Sequence, residues 1–493
     1  MFALSFSALS LFRPSSAFST FSGTISKAAT ALSIHTNRKN YSLSTVTLPG
    51  ETAAPVNHKA DLYRIIALAV GIATLGAFLA AFTVEKLTFL YKEQLHLSPG
   101  GVGTLGIIVG VPSYLQPLMG AFSDLNPLAG YHRRSYFVLG GVLGAAGFLL
   151  LALLPHYSYV SVVALVMIGS AGYILVLVML NAVLVVVGNA TGTFGQLQTL
   201  LYLVGYGWAL AYTANLRGYV TQHWSYERAF EAAAATLLAM TFLVFLIPET
   251  RRAGRGQTDV NLVDPAEIAH RQAARQAERE KTMITLRSAA KSPGLWVLVA
   301  FIFYLIVTPG TNTAQIYYEA DALHLSKQFI GRLFKWSSAG VLIALFLYGA
   351  TVKWLSARTL VWGAWLMDCA AYLLLLNIHN APTAEIISLV SALTGTIYGL
   401  CLYTLAGRAC PVGAEGVVYG LVLSAIALGG TLGDKLGGNL YDMFGPASHH
   451  SVAHGWNMML WFGFGFTVIA AGFIPFLPAW ARSNERLSGA SNP

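Results

Sequence analysis

Charged residues are scarce in this chain of 493 residues. Asp, Glu, Lys and Arg make up 10% of it, whereas hydrophobic residues make up 55%, and the mean hydropathy is +0.60. A single soluble core could not bury this much apolar surface, so the composition excludes an ordinary soluble domain and places the chain in a lipid bilayer. Cysteine is also rare. Cys369, Cys401 and Cys410 lie in or beside apolar stretches and show neither a disulfide framework nor metal-ligand spacing.

The motifs of soluble catalysis and of ATP-driven transport are also missing. The sequence contains no Walker lysine loop, no nucleophile elbow, no HExxH helix and no soluble domain with paired carboxylates. We therefore expect neither an enzyme nor an ATP-driven pump, and no cofactor or bound metal. Much of the net charge of +9 lies in the amino-terminal segment and in loops assigned to one side of the membrane. This distribution indicates membrane topology and not a nucleic-acid partner.

Apolar residues are grouped in stretches long enough to cross a bilayer, which takes about 20 helical residues. We predict an all-α membrane protein with twelve transmembrane helices in two six-helix bundles, residues 59–248 and 293–482, joined by the polar stretch 249–292 and followed by a tail at 483–493. The apolar stretches lie near residues 62–84, 99–120, 135–154, 159–187, 194–216, 229–247, 295–317, 329–351, 358–378, 383–406, 413–433 and 456–478.

Two polar segments lie outside the predicted bundles. Residues 1–58 contain many Ser and Thr and no acidic residue before Glu51, which is the composition of an organelle transit peptide. We expect a plastid address, with a mitochondrial address or a disordered cytoplasmic tail as alternatives. In the linker, Asp264-Pro-Ala-Glu267 has the order of a helix start, so we predict a helix at the membrane surface that tethers the two bundles.

The loop after the second apolar stretch combines Asp124 with Arg133 and Arg134. Basic residues resist translocation, so this loop marks the cytoplasmic side or its equivalent. The acid and the arginines could also form charge-assisted bonds between neighbouring helices in one conformation and release them in another. A plain solvated loop is the alternative. The pattern partly recurs after the eighth stretch, where Lys353 and Arg358 occupy the corresponding positions.

Five collinear motifs resemble the folate-biopterin transporter family. The resemblance runs from about residue 115 to 438 and implies the major facilitator fold, in which substrate binds at the midplane between two bundles. It also implies a secondary transporter of pterins or folates, usually described as proton-coupled. The motifs are QPLMGAFSDLNPLAGYHRRSY from Gln116, the pair Leu197-Gln198, TPGTNTAQIYY from Thr308, Phe329-Ile-Gly-Arg332, and the segment that runs from Arg408 through Glu415 to Gly430.

This chain departs from the family pattern where charges are expected. Gln116 stands where family members carry a lysine. Leu177 and Asn181 stand where they carry a pair of aspartates, and Asn312 stands where they carry a further aspartate. Buried charges are costly and survive mainly as partners, so the joint loss of both signs leaves a neutral, self-consistent site. Amide groups can pair with the donor–acceptor edge of a pterin but cannot carry a proton. Interhelical hydrogen bonding is the alternative role.

Asp368 is then the main acid left in the middle of an apolar stretch. An isolated acid at that depth is a functional candidate, here for the proton, although a structural partner such as Lys335 is a comparable explanation. We expect Asp434 and Lys435 to lie near a helix end at the membrane interface. The candidate substrate contacts are therefore Gln116, Asn181, Gln198, Asn312 and Asp368.

Arg408 and Glu415 flank the turn between the tenth and eleventh stretches, which suits a gate or a helix cap. Aromatic residues at helical spacing in the fifth stretch could form a stacking wall, or could simply pack; they are Tyr202, Tyr206, Trp208 and Tyr212. The candidate gating residues are Asp124, Arg133, Arg134, Lys353, Arg358, Arg408 and Glu415.

These patterns together predict transport by alternating access. We expect a monomer in contact with membrane lipid that carries a small molecule of the pterin or folate class. The expected location is the plastid envelope or another organelle inner membrane, with the plasma membrane as the alternative. Two other functions stay open: pigment delivery in photosynthetic membranes, where relatives in the same superfamily share the SD…RR loop, and transport of another small neutral organic metabolite.

Overall fold

The computed structural model describes residues 58–126, 128–129, 131, 133–191, 194–247, 249, 293–409 and 415–484. Residues 57–493 form one compact unit. The predicted transit segment and the predicted surface helix of the linker lie outside the described residues.

The described helices are consistent with the twelve predicted spans, six in each half. In the amino-terminal half, the first span is His58–Glu93, the third Arg134–Ala152, the fourth Tyr159–Thr191 and the sixth Tyr226–Phe242, extended by a 3-10 turn at Leu243–Leu246. The second span consists of Pro99–Val109, Val111–Tyr114 and Gln116–Leu125. The fifth consists of Phe194–Trp208, a π-helical turn at Ala209–Thr213, and Ala214–His223.

The carboxy-terminal half repeats this order. Its seventh span consists of two helices, Pro293–Ile306 and Asn312–Asp321. The eighth is Lys327–Thr351, the ninth Ala357–Leu375, the tenth Ala381–Ala409, the eleventh Glu415–Phe444 and the twelfth Val452–Ile469. Short 3-10 turns lie at Val352–Trp354, Pro446–Ser448, Ala470–Phe476 and Ala479–Arg482.

Seven helices in the described part of the chain are each long and apolar enough to cross a membrane by themselves. The second and seventh spans are not among them because they are broken. Pro112 and Pro117 each stand at the start of a new short helix in the second span, since proline lacks the donor that a helix interior requires. The first span continues to Glu93, past the predicted limit at residue 84.

The buried side chains form three clusters that distinguish the two ends of the bundles. We define the Ser98 end by residues 94–98, 322–326 and 445–451, and the Arg133 end by Arg133 and residues 352–356. At the Arg133 end the halves have separate cores: Ile65, Tyr136 and Leu184 belong to one, and Phe301, Leu360 and Leu405 to the other. At the Ser98 end a single core contains side chains from both halves, among them Leu90, Val102, Phe230, Tyr317, Leu375 and Trp456.

Glycines allow the halves to approach closely towards the Ser98 end. A Cβ atom added to Gly331 in the eighth span would come within 2.6 Å of the Cα atom of Gly218 in the fifth. In the same way, a Cβ atom on Gly438 in the eleventh span would come within 2.6 Å of the Pro99 carbonyl group in the second. Small residues at helix crossings let two backbones pack directly in a membrane protein. The two bundles are therefore in contact at this end.

Candidate functional site

Charged side chains connect the two bundles at the Ser98 end. Lys92 Nζ lies 2.5 Å from Asp321 Oδ1, joining the first span to the seventh. The next residue, Glu93, pairs with Lys327 of the eighth span. All four side chains are partly exposed, so each pair contributes only about 0–1 kcal/mol. Their importance lies in where they are: both pairs must break when this end opens.

Uncharged groups make the same connection between the bundles. The Ser98 hydroxyl donates to Asp442 Oδ2 at 2.6 Å, and Gly100 N donates to the same oxygen at 3.0 Å. Asp442 of the eleventh span therefore caps the helix that begins the second span, in the other bundle. Tyr317 OH donates to Leu97 O at 2.5 Å. These contacts and the two ion pairs together form what we call the Ser98-end gate.

A buried ion pair lies behind this gate. Glu85 of the first span pairs with Arg217 of the fifth, and these residues are 5% and 7% exposed. The Arg217 guanidinium also stands 4.4 Å from the centre of the Phe334 ring, which belongs to the opposite bundle. Lys86 donates to the carbonyl groups of Thr221 and Trp224 at the end of the fifth span. A cation is favourable at a helix carboxyl terminus, so Lys86 has a structural role.

Contacts between the bundles extend from the gate to the middle of the molecule. Lys435 Nζ donates to Thr104 Oγ1 at 3.0 Å, and Tyr114 OH lies 2.6 Å from Thr431 Oγ1. Both contacts join the second span to the eleventh. Lys435 was expected at a helix end near the interface, but it lies inside the helix Glu415–Phe444 and bonds across to the other bundle. Its interhelical partner, invisible in the sequence, explains the difference.

The predicted substrate residues lie in separate places. Gln116 Nε2 donates to Ser113 O at 3.1 Å, within its own span. Asn181 is exposed on the fourth span, and Asn312 is exposed at the first residue of the second helix of the seventh span. Gln198 lies in the helix Phe194–Trp208, but its side chain is outside the described residues. A role in substrate binding stays a prediction for each of them.

Asp368 lies within the carboxy-terminal bundle. Its Oδ2 atom accepts a hydrogen bond of 2.9 Å from the hydroxyl of Thr467, which is fully buried in the twelfth span. One turn further along the ninth span, Tyr372 OH donates to Pro309 O at 2.7 Å and so connects this region to the break in the seventh span. The hydroxyl of Thr467, and not the amine of Lys335, is the partner that the structure gives to Asp368.

The aromatic residues of the fifth span form two pairs of contacts. Tyr202 and Tyr206 stack with their ring centres 6.3 Å apart, and Tyr202 is 50% exposed. Trp208 packs on Phe78 at 5.9 Å and donates from Nε1 to Thr74 Oγ1 at 3.0 Å. The tyrosine pair thus presents a flat aromatic surface, whereas Trp208 is used for packing between the first and fifth spans.

The predicted gating residues at the Arg133 end bind within their own bundles where the structure describes them. Backbone N–H groups of Arg133 and Arg134 donate to the Glu249 carboxylate at 2.9–3.2 Å, and the Arg134 guanidinium donates to Ile247 O. Arg358 N donates to Ser483 O at 3.2 Å. The side chains of the other four residues, Asp124, Lys353, Arg408 and Glu415, lie outside the described residues.

Sequence reasoning missed the Ser98-end gate and the Glu85–Arg217 pair. The partners in the gate lie far apart in the chain; Lys92 and Asp321 are separated by 229 positions. The available signal was the placement of acidic and basic residues at the ends of the first, seventh, eighth and eleventh spans. Such residues resemble ordinary solvated helix ends until the partner is known.

Comparison with known proteins identifies relatives over most of the chain. The folate-biopterin transporter of Synechocystis sp. is 29% identical over 380 residues, which cover 73% of this chain and 71% of that protein. Probable folate-biopterin transporter 6 of Arabidopsis thaliana is 19% identical over 427 residues, or 84% of this chain and 82% of the relative.

Solved transporter structures share the fold. The crystal structure of a D-xylose-proton symporter superposes with a TM-score of 0.59 at 16% identity, covering 86% of this chain and 100% of that one. A bacterial homologue of the human lysosomal transporter Spinster, in an inward-facing and unoccupied conformation, gives a TM-score of 0.58 at 15% identity, over 89% and 100%. These similarities confirm the predicted fold class, a helical membrane protein of the major facilitator type.

A family model also matches more than half of the chain. The model of the BT1 family matches residues 79–454, from the middle of the first span to the start of the twelfth. The motifs that resembled folate-biopterin transporters all lie within these limits. The predictions of a divergent family member and of a secondary membrane transporter that is not an enzyme are thus confirmed. The chain belongs to the BT1 family.

Proposed function

We propose that this protein carries a pterin or folate across a membrane by alternating access of its two six-helix bundles. The names of its relatives in Synechocystis sp. and Arabidopsis thaliana support this class of substrate. The observation that carries the mechanism is the difference between the two ends. Both halves share one core at the Ser98 end, whereas each has its own core at the Arg133 end. That arrangement suits a carrier closed at the Ser98 end.

The described residues include groups suited to a pterin. Asn181 and Asn312 provide amide donors and acceptors, and both side chains are exposed. The stacked pair Tyr202 and Tyr206 offers a flat aromatic surface for a planar heterocycle. Amide side chains can form hydrogen bonds with the edge of a heterocycle, but they do not take up or release a proton. Binding and proton coupling are therefore assigned to different residues in this proposal.

The transport cycle requires opposite changes at the two ends. Opening the Ser98 end must break Lys92–Asp321 and Glu93–Lys327, and must separate Asp442 from the second span. When the Ser98 end opens, the Arg133 end must close and bring the two halves together there. Asp124, Arg133 and Arg134 are the proposed latch at that end. The gate contacts are individually weak, so the cost of opening is within reach of substrate binding energy.

Because this chain lacks the lysine and the aspartates of the family pattern, two modes of transport have to be distinguished. Either the protein works by facilitated diffusion or exchange, with little dependence on pH, or a carboxyl group in a span carries the proton. By position in the sequence, that carboxyl group is Asp368. Replacing Asp368 by Asn tests this residue: loss of uphill uptake with unchanged counterflow indicates a proton site at Asp368, and no change in either assay shows that Asp368 does not carry the proton.

Transport by the purified protein tests the substrate class. Proteoliposomes would be loaded with unlabelled folate or tetrahydrobiopterin and offered the labelled compound, with chlorophyll precursors as the competing class. We expect counterflow of a pterin or folate, and a colourless purified protein. Bound pigment, or counterflow of the precursors alone, would instead favour pigment delivery. Counterflow of neither class would favour another small neutral metabolite.

We also propose an organelle location and a monomeric carrier. Residues 1–58 fused to a fluorescent protein should direct it to plastids, and the mature native protein should begin between Glu51 and Lys59. An intact Met1 on protein purified from its natural membrane would contradict the targeting proposal. The mass of the detergent-solubilised protein, measured by light scattering, tests whether it is a monomer.

A further inference from the structure

The break in the seventh span creates an unusual local environment. The helix stops at Ile306 and starts again at Asn312, leaving residues 307–311 outside a helix. Non-helical backbone at membrane depth is tolerated only where protein buries it or where it lines a water-filled cavity. Here the eleventh span supplies a partner, because Gly310 N donates to Gly433 O at 2.7 Å.

Asp434, the residue after that carbonyl group, lies against the break. Thr313 Oγ1 donates to Asp434 Oδ2 at 2.9 Å, and the Asn312 side chain and the backbone N–H groups of Asn312 and Thr313 also face the carboxyl group. The other oxygen, Oδ1, is sealed from solvent and has no hydrogen-bond partner among the described residues. It lies close to Gly310, where an added Cβ atom would stand 2.9 Å from it. An unpaired buried oxygen is costly for a charged carboxylate, and a proton bound here would neutralise that charge.

The same short segment contacts the other bundle. Lys435, the next residue after Asp434, donates to Thr104 Oγ1 of the second span at 3.0 Å. A Cβ atom on Gly103 would come within 2.5 Å of the Lys435 Cα atom, so the two backbones touch here. Opening of the Ser98 end must separate these backbones. Access of water to Asp434 therefore changes between the two states, as coupling requires.

The other charged groups around this segment have their own partners. Asp442 binds Ser98 and Gly100, and Asp321 binds Lys92. Glu319, 2% exposed in the second helix of the seventh span, accepts from Gln315 Nε2 at 2.7 Å. The Lys435 ammonium is bound to Thr104. Within the described residues, no ion pair within 4.0 Å involves Asp434.

The remaining buried acids are less well placed. Glu85 is already paired with the Arg217 guanidinium within the amino-terminal bundle. Asp368 is bound by Thr467 between the ninth and twelfth spans, within one bundle. Asp434 also binds within one bundle, but the next residue, Lys435, contacts the other bundle, so we expect the surroundings of Asp434 to change when the bundles separate. We propose that Asp434 is the proton-binding carboxyl group that couples uptake to the proton gradient; this inference rests on the proposed transport function.

Two assays on one set of variants test this. Wild type, Asp434→Asn, Asp434→Glu and the control Asp368→Asn would be reconstituted in proteoliposomes. Counterflow of labelled pterin or folate reports transport alone, and uptake against a concentration gradient with an imposed pH gradient reports coupling. We expect Asp434→Asn to lose uphill uptake at least tenfold while counterflow changes less than threefold. Asp434→Glu should keep part of the uphill uptake, and in Asp368→Asn the ratio of uphill uptake to counterflow should equal that of the wild type, whatever the change in counterflow itself.

Uphill uptake that persists in Asp434→Asn would overturn the proposal, and so would a loss seen only in Asp368→Asn. Coupling that follows a sodium gradient and not a pH gradient would overturn it as well. If Asp434→Asn folds poorly, Thr313→Val keeps the acid and removes its donor. The pH of half-maximal uphill uptake should then rise, because the charged form loses a hydrogen bond; an unchanged value would contradict the assignment.

A substrate-independent measurement separates this inference from the proposed function. Gly101 of the second span has room for a side chain, since an added Cβ atom meets its nearest neighbour at 3.4 Å. Gly101→Cys would be labelled with a water-soluble maleimide across a range of pH. The labelling rate is divided by that of the denatured protein at the same pH, which removes the pH dependence of the thiol itself. A normalised rate that changes with pH in otherwise wild-type protein but stays constant in the Asp434→Asn variant supports the role of Asp434, even if every pterin and folate fails in counterflow. Identical pH dependence in both would overturn it.

Discussion

The two ends of the bundles contain similar residues but are organised differently. At the Ser98 end, charges from opposite halves bind each other, as in Lys92–Asp321 and Glu93–Lys327. At the Arg133 end, the described charges bind backbone or side chains of their own half, as Arg134 binds Ile247. Clusters of charge that look equivalent in the sequence thus hold the bundles together at one end and stabilise single bundles at the other.

Buried charges near the Ser98 end should have the largest effect. Glu85→Gln leaves Arg217 buried without an opposite charge, and breaking a buried pair in this way costs about 3–5 kcal/mol. We expect a large fall in the thermal unfolding temperature of the detergent-solubilised protein. The double variant Glu85→Gln with Arg217→Met removes both charges and should recover much of the loss. A double variant as unstable as the single one would show that the pair is not the cause.

The glycine crossing should have the next largest effect. Gly331→Ala places a methyl group against the Gly218 backbone, and forced overpacking costs about 1–3 kcal/mol. Because this cost applies only when the Ser98 end is closed, counterflow should fall about fivefold or more. Gly349→Ala is the matched control in the same helix, where an added Cβ atom meets nothing within 4 Å. Equal losses in both variants would argue against a crossing that opens and closes.

Removal of a single gate ion pair should have a smaller effect. Lys92→Ala deletes a partly exposed pair between the bundles, worth about 0.2–1 kcal/mol. We expect a shift towards the state open at the Ser98 end, up to about fivefold, seen as faster labelling of Gly101→Cys. Arg332→Ala is the control, since the Arg332–Glu385 pair at 3.4 Å joins two spans of the same bundle. Faster labelling in that control would remove the distinction between the two kinds of pair.

The orientation of the protein in the membrane predicts that one glycosylation sequon is not modified. The sequon Asn189-Ala-Thr191 lies at the end of the fourth span, on the same side as Arg133 and Arg134. Because Arg133 and Arg134 resist translocation, this side stays in the cytoplasm. Asn189 should therefore carry no glycan when the protein is made at the endoplasmic reticulum. Mass spectrometry of the peptide decides this, and a glycan would reverse the orientation.

Hydropathy predicted a helical membrane protein, and the described helices are consistent with the predicted spans. The predicted ends of the spans were wrong where a charged side chain binds a residue that is distant in the sequence. The first stretch was predicted to end at residue 84 because Glu85 and Lys86 follow, yet the helix continues to Glu93 with both side chains bound by the fifth span. The eleventh stretch was predicted to end at residue 433, but its helix continues through Asp434 to Phe444. Hydropathy scores each residue alone, whereas burial of a charge depends on its neighbours in space.

The site was predicted less well than the fold for a similar reason. The amides Asn181 and Asn312 could be singled out because the family pattern has acids at those positions, and both are exposed in the structure. Glu319 and Asp442 could not be singled out in this way. Glu319 binds Gln315 one turn away in its own helix, and Asp442 binds Ser98 of the opposite bundle. Contacts between the halves depend on the conformation of a carrier, and one sequence encodes more than one conformation.

Simultaneous distance measurements at both ends test the central claim most directly. Spin labels at Gln94→Cys and Gln328→Cys report the Ser98 end, and labels at Asn126→Cys and Trp354→Cys report the Arg133 end, in a background without the native cysteines. All four positions are exposed. Across the transport cycle, driven by a pterin or folate and by pH, we predict that one distance lengthens as the other shortens. Distances that stay fixed, or that change together in the same direction, would contradict alternating access.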